Sequence, residues 1–206
     1  MRANEQTLEQ FSALLGSSAP FPGGGGASAL CGALAAALGS MVGALTVGKK
    51  KYAANEASLR EIMEKSEAAR EKLLAMIDKD AEAFAPLAEA YALAKDAPGR
   101  EEKLESCLRT AASAPMRTAK LCCEVISLLE GYAALGSRLV LSDAATGAAL
   151  ARGALQGALI NCKVNTALMR DRSRAAAMDA EANALWLEYS SRADAICASV
   201  ASALGF

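Results

Sequence analysis

Between Pro22 and Gly48 the chain carries no charged residue, and most positions in this run are Gly, Ala or Ser. Side chains this small bury little apolar area each, so a helix built from them is stable only if neighbouring helices approach closely along its length. The alanine-rich part, beginning near Gly26 and ending near Val47, predicts such a helix. The outline also fits a membrane span with Lys49, Lys50 and Lys51 as its positive flank. Ala, Gly and Ser gain little from lipid, however, and Glu5 and Glu9 stand where a signal sequence would be basic. The expectation is therefore close helix packing in a soluble core, with no membrane partner.

Composition points the same way. Hydrophobic residues make up 53% of the 206 positions and aromatics only 4%, which favours packed helices over a β-sandwich. The length suits one domain, residues 1–206, with a sizeable core. A net charge of −1 argues against general nucleic-acid binding. Cysteines 31, 107, 122, 123, 162 and 197 form no C-x-x-C pair and read as reduced thiols of a cytoplasmic protein.

The sequence has no histidine. That excludes Ser-His-Asp and Cys-His nucleophile pairs, H-E-x-x-H zinc sites and imidazole proton shuttles. Acid–base work falls to Asp, Glu, Lys, Tyr, Cys or the substrate. No cysteine or carboxylate cluster has metal-ligand spacing, so a metal-free mechanism is expected.

Apolar spacing predicts helices at about Asn4–Leu15, Gly26–Val47, Asn55–Lys95, Arg100–Leu129, Ser142–Arg170 and Arg174–Leu204. Pro86 should kink the third and Pro115 bend or divide the fourth. Gly131–Leu141 reads as a short helix or connector, and Ser142 as an N-cap. The stripe Met178, Ala182, Leu185, Tyr189, Ile196 and Val200 has the spacing of a bundle seam.

Two places suggest a ligand. Gly23, Gly24, Gly25 and Gly26 precede the small-residue helix, where unpaired N–H groups and the helix dipole favour an anion. The Lys49–Lys51 cluster closes that helix, and together they suit a ligand bearing carboxylates or phosphates. A purely structural glycine turn gives the same pattern. The order G-x-x-x-x-G-K-[ST] and a preceding strand are both missing, which disfavours a nucleotide. Further on, Asp143, Gly147, Ala151, Ala154, Ala158, Asn161 and Asn165 share one helix face. Asn161 and Asn165, one turn apart, can grip a heterocycle, cap a neighbouring helix or face water.

In this order, the pieces Pro22-Gly23-Gly24-Gly25 with Ser28, Thr46 to Tyr52 (T-V-G-K-K-K-Y), Asp78-x-Asp80-Ala81-x-Ala83-Phe84, Ser142-Asp143 with Gly147-Ala148, and Asn161-x-Lys163-x-Asn165 cover nearly the whole chain. They resemble the cyclodeaminase domain of formiminotransferase-cyclodeaminase and its stand-alone relatives, the methenyltetrahydrofolate cyclohydrolases. The resemblance implies an all-α, single-domain homodimer of long helices with no metal and no prosthetic group, acting on a tetrahydrofolate derivative that often carries a polyglutamate tail. It implies one of two reactions. The cyclodeaminase closes 5-formiminotetrahydrofolate to the 5,10-methenyl form and releases ammonia; the cyclohydrolase opens the methenyl bridge with water to give 10-formyltetrahydrofolate. A folate-binding or helical interaction protein without turnover is the alternative.

Both reactions need proton transfer at nitrogen and stabilisation of a cationic amidinium, tasks that suit a carboxylate. Asp80, inside the resembling motif, is the first candidate and Asp143 the second. Gly23 to Gly26 and Ser28 would hold a carboxylate or pterin edge, and Lys49, Lys50 and Lys51 the glutamyl tail. Yet Gly26 and Lys49 lie about 35 Å apart along one helix, and Asp143 and Asn161 about 27 Å apart. One subunit cannot join both ends at one small group, so the expectation is an antiparallel homodimer with the active site between subunits.

Overall fold

The computed structural model describes residues 3–205. Its six α-helices are α1 (Leu8–Leu15), α2 (Gly24–Ala44), α3 (Glu56–Ala92), α4 (Arg100–Leu135), α5 (Leu141–Leu168) and α6 (Arg172–Leu204). Short 3₁₀ turns cover Ala3–Glu5, Lys50–Asn55 and Arg138–Val140, and there is no strand among the described residues.

Helix α2 sits in the middle, packed on α3, α4 and α5, while α6 covers α4 and α5. Its glycines decide how near the others come. A Cβ on Gly39 would lie 2.7 Å from the Tyr132 ring, and one on Gly43 2.6 Å from Met63. From α5, a Cβ on Gly157 would lie 2.5 Å from the Ser28 hydroxyl. Larger residues fill the space so created: Leu59, Leu73, Leu129, Tyr132 and Leu155 are fully buried. The Tyr132 hydroxyl donates to or accepts from Ser66 at 3.0 Å, which satisfies the polar end of the largest of them. Helix α2 has the length and hydropathy of a membrane span, but half of its apolar window is buried inside the bundle.

Several boundaries differ from the sequence reading. Helix α2 starts at Gly24 rather than Gly26, so three of the four glycines form its first turn and Gly23 is the N-cap. Helix α1 starts at Leu8 because Thr7 caps it, its hydroxyl accepting from the Gln10 N–H in a capping box. Ser142 is not a cap; α5 begins one residue earlier. Helix α4 runs on through Gly131 to Leu135, so most of the expected connector is helix.

Neither proline divides its helix. A proline frees the carbonyl four residues back. For Pro86 this is Glu82, on an exposed stretch where water serves it. For Pro115 it is Ala111, and the side-chain amide of Asn165 on α5 reaches that oxygen at 3.4 Å.

Candidate active site

Four helices meet at the N-terminal end of α2. Gly23 has extended backbone and offers no side-chain cap, so the Gly24, Gly25 and Gly26 N–H groups have no partner in their own helix. Asp80, on α3, stands over this turn, and the Gly26 N–H acts on its carboxyl group to draw its pKa down. A Cβ on Gly25 would overlap the Asp80 carboxyl carbon and both oxygens. A Cβ on Gly24 would lie 2.9 Å from Nδ2 of Asn161. The first turn of α2 is thus bare where two polar side chains rest on it.

Around these groups lies a cavity of about 190 Å³. Pro20, Phe21 and the Gly23–Gly25 backbone form one wall, and Asp80, Ala81 and Phe84 of α3 another. Ala111 and Pro115 of α4 and Asn161, Val164 and Asn165 of α5 complete it. Asn161 donates its amide to the Gly157 carbonyl at 2.8 Å, and Asn165 donates to the Asn161 carbonyl at 2.9 Å. Asn165 donates to two helix carbonyls and Asn161 to one, which leaves both amide oxygens and the second Asn161 N–H as groups offered to a ligand.

Asp80 is the one ionisable side chain among the described residues that line the cavity. Burial raises its pKa above the ordinary carboxylate value, and the Gly26 N–H offsets only part of that rise. A carboxyl group shifted in this direction holds its proton more readily, which suits it to proton transfer. The acceptor oxygens of Asp80, Asn161 and Asn165 give the cavity a negative potential that complements a cation. Among the described residues, no three His, Cys, Asp or Glu side chains gather as a metal site.

The formiminotransferase-cyclodeaminase family model matches residues 7–184. The chain belongs to this family. A methenyltetrahydrofolate cyclohydrolase of Methylorubrum extorquens is 43% identical over 83% of this chain and 84% of its own. The formimidoyltransferase-cyclodeaminase of Mus musculus is 31% identical over 81% of this chain, which spans only 32% of that longer protein. The crystal structure of formiminotetrahydrofolate cyclodeaminase from Thermotoga maritima superposes with a TM-score of 0.84, covering 97% of this chain and 99% of that one at 29% identity.

Within the family fold, the residues singled out from sequence separate into two groups. Gly23, Gly24, Gly25, Asp80, Asn161 and Asn165 share the cavity. Gly26 does not line it; a Cβ there would meet Pro22 and Ile77 instead. Ser28 does not line it. Its hydroxyl is buried and donates to the Gly24 carbonyl at 2.7 Å, so it serves the α2–α5 contact rather than a ligand.

Lys49, Lys50, Lys51 and Asp143 lie at the opposite end of α2 and α5. There Lys49 Nζ is 3.5 Å from the Ser137 hydroxyl, and the Tyr52 hydroxyl accepts the Arg138 N–H at 3.2 Å. That N–H, the Ser137 hydroxyl and the nearby Lys51 and Lys49 hold the phenol below its ordinary pKa. Asp143 is half-buried in the first turn of α5.

Sequence reasoning missed Phe21 and Phe84, which line the cavity while 45% and 38% exposed. Phe84 reads as a core position from its spacing, but it stands one turn after Asp80 on the same helix face. That i, i+4 relation was the available signal. Phe21 gave none, since only the chain reversal before α2 brings it there.

Proposed function

We propose that this protein is a tetrahydrofolate one-carbon enzyme that hydrolyses the 5,10-methenyl bridge, with Asp80 as its proton-transfer group. The observation that carries this reading is the cavity itself: one carboxylate of raised pKa, amide oxygens beside it and two half-exposed aromatic rings at its edge. The 43% identity to a cyclohydrolase of similar length supports it. In this reading, water attacks the amidinium carbon and gives one proton to Asp80, forming a tetrahedral carbon between N5 and N10. The new hydroxyl then loses its proton to solvent as the bond to N5 breaks, and Asp80 returns its proton to N5. Water is consumed, one proton is released overall, and the cationic charge is discharged. The flat pterin lies between Phe21 and Phe84, and the asparagine oxygens accept its N–H groups.

The second reading is the deaminating cyclisation of the formimino group. The Thermotoga maritima structure favours it, since nearly the whole length of both chains superposes. Here N10 attacks the formimino carbon and its proton passes to the formimino nitrogen; Asp80 supplies the second proton, and ammonia leaves as the carbon–nitrogen bond breaks to give the methenyl cation. Loss of methenyl absorbance on adding purified protein to 5,10-methenyltetrahydrofolate, above the spontaneous rate, tests the first reading. No enhancement, together with ammonia release from 5-formiminotetrahydrofolate, would replace it with the second. Activity in neither assay would leave a non-catalytic folate binder.

The working unit in this proposal is a homodimer. A cavity of about 190 Å³ is smaller than the roughly 300–1,000 Å³ that encloses a typical small-molecule ligand. Nearby, Leu34 and Met41 of α2, Leu45 just after it, and Ile160 and Val164 of α5 are apolar side chains each more than 40% exposed. A second copy laid antiparallel there covers them and brings its own Lys49–Lys51 and Asp143 towards the cavity. Its lysines then hold the glutamyl tail of the substrate. The six free cysteines support a reducing, cytoplasmic setting.

A further inference from the structure

We propose that Gly25 is a positioning residue for Asp80: its missing side chain is what lets the carboxylate seat on the first turn of α2 and face the cavity. The inference rests on Asp80 being the proton-transfer group of the proposed reaction. It gives the glycine tract a role different from cradling an anion of the substrate. The three atoms nearest to a Cβ at position 25 all belong to Asp80, so the space is filled by the carboxyl group. Gly25 is buried, and the neighbouring Gly26 N–H acts on the same carboxyl group, partly offsetting the rise of its pKa. The anion expected at this helix terminus is therefore one of the protein's own side chains, delivered from α3.

This seat explains two properties at once. The packing of α3 on the bare Gly25 face of α2 holds Asp80 in place, so the group meets the substrate without first being ordered. Removal from water at the same place keeps its proton affinity high, while the lining residues offer no cationic side chain to lower it. Alanine at position 25 cannot share the space. The carboxyl group must leave α2 or the two helices must part, and a rotation about the Asp80 side-chain bonds is the smaller change.

The test is Gly25→Ala, made alone, with Asp80→Asn and with Asp80→Ala. Gly25→Ala is expected to lower kcat by about 100-fold, within the usual range for losing a proton-transfer group, with little change in KM. Carbon-detected NMR titration of the Asp80 carboxyl group should show its midpoint fall towards the ordinary carboxylate range as it enters solvent. In the Asp80→Asn background the same change should cost less than about threefold in kcat, because no proton transfer is left to misplace.

If Gly25→Ala alone does not fold, the Gly25→Ala, Asp80→Ala protein must, since the overlapping atoms are gone. Its failure to fold would overturn the inference. So would an unshifted Asp80 titration in folded Gly25→Ala, or an equal loss of kcat in both backgrounds, which would mean that Gly25 acts on the substrate directly. Full activity of Asp80→Asn is a different failure: it removes Asp80 from the reaction and takes the positioning role with it.

Discussion

Asp80→Asn separates catalysis from stability because the structure predicts opposite signs for the two. Asparagine has nearly the same shape and fits the same space over the first turn of α2, so little packing is lost. What disappears is a titrating oxygen in the cavity. Loss of general acid–base catalysis costs about 10²–10⁴ in rate, or roughly 3–5 kcal/mol at 1.36 kcal/mol per tenfold. Stability should move the other way. Burial raises the folded pKa of Asp80 above its unfolded value. Stability linked to this group is then fully present below the unfolded pKa and is lost as pH rises through the folded pKa. The variant, always neutral, escapes that loss. Its advantage over wild type should grow as pH rises from the ordinary carboxylate value through the folded pKa of Asp80, and then level off. Urea melts at several pH values give the stability difference, and methenyl absorbance gives turnover. Turnover within about threefold of wild type would refute the catalytic argument. A stability difference independent of pH would refute the electrostatic one.

Other outcomes follow from the packing. Gly39→Ala drives a methyl group into the Tyr132 ring, which is fully buried and tied to Ser66. Overpacking of about 1–3 kcal/mol against about 1 kcal/mol of gained helix propensity leaves a net loss near 1 kcal/mol, or about 2–4 °C in Tm; a variant as stable as wild type would contradict the packing account. Met41→Lys with Ile160→Lys puts charge on the exposed apolar surface and should yield a helical monomer of low activity by sedimentation, whereas a retained dimer would move the interface elsewhere. Lys50→Ala with Lys51→Ala should raise KM for a polyglutamylated substrate about tenfold with kcat nearly unchanged, and less so at high salt. An equal effect on the monoglutamate would argue against tail binding. Burial pushes the Cys123 thiol up to about 12 and the fully buried Cys122 further in the same direction. Neither should react with a disulfide reagent at pH 8 until the protein unfolds.

The sequence by itself determined the helical class, because the charge-free run of Gly, Ala and Ser from Pro22 to Gly48 can be stable only between closely packed helices. It also determined that no histidine chemistry operates here. The seam Met178, Ala182, Leu185, Tyr189, Ile196 and Val200 was legible for the same local reason, since a 3.6-residue period survives whatever the helix packs against. Helix ends were less legible. Thr7 caps α1 from its own neighbourhood, but the side chain seated on the first turn of α2 is that of Asp80, more than fifty residues away. The helix through Pro115 persists because Asn165 from another helix meets the freed Ala111 carbonyl. The site divides along the same line. Motifs drew attention to the glycines, Asp80, Asn161 and Asn165, but spacing along a helix could not say that they converge. Only tertiary packing brought them to one cavity with Phe21 and Phe84, turned Ser28 inward, and left Lys49–Lys51 and Asp143 at the far end. Local sequence specifies which face and which turn a side chain occupies; which helices meet at that turn is a property of the whole fold.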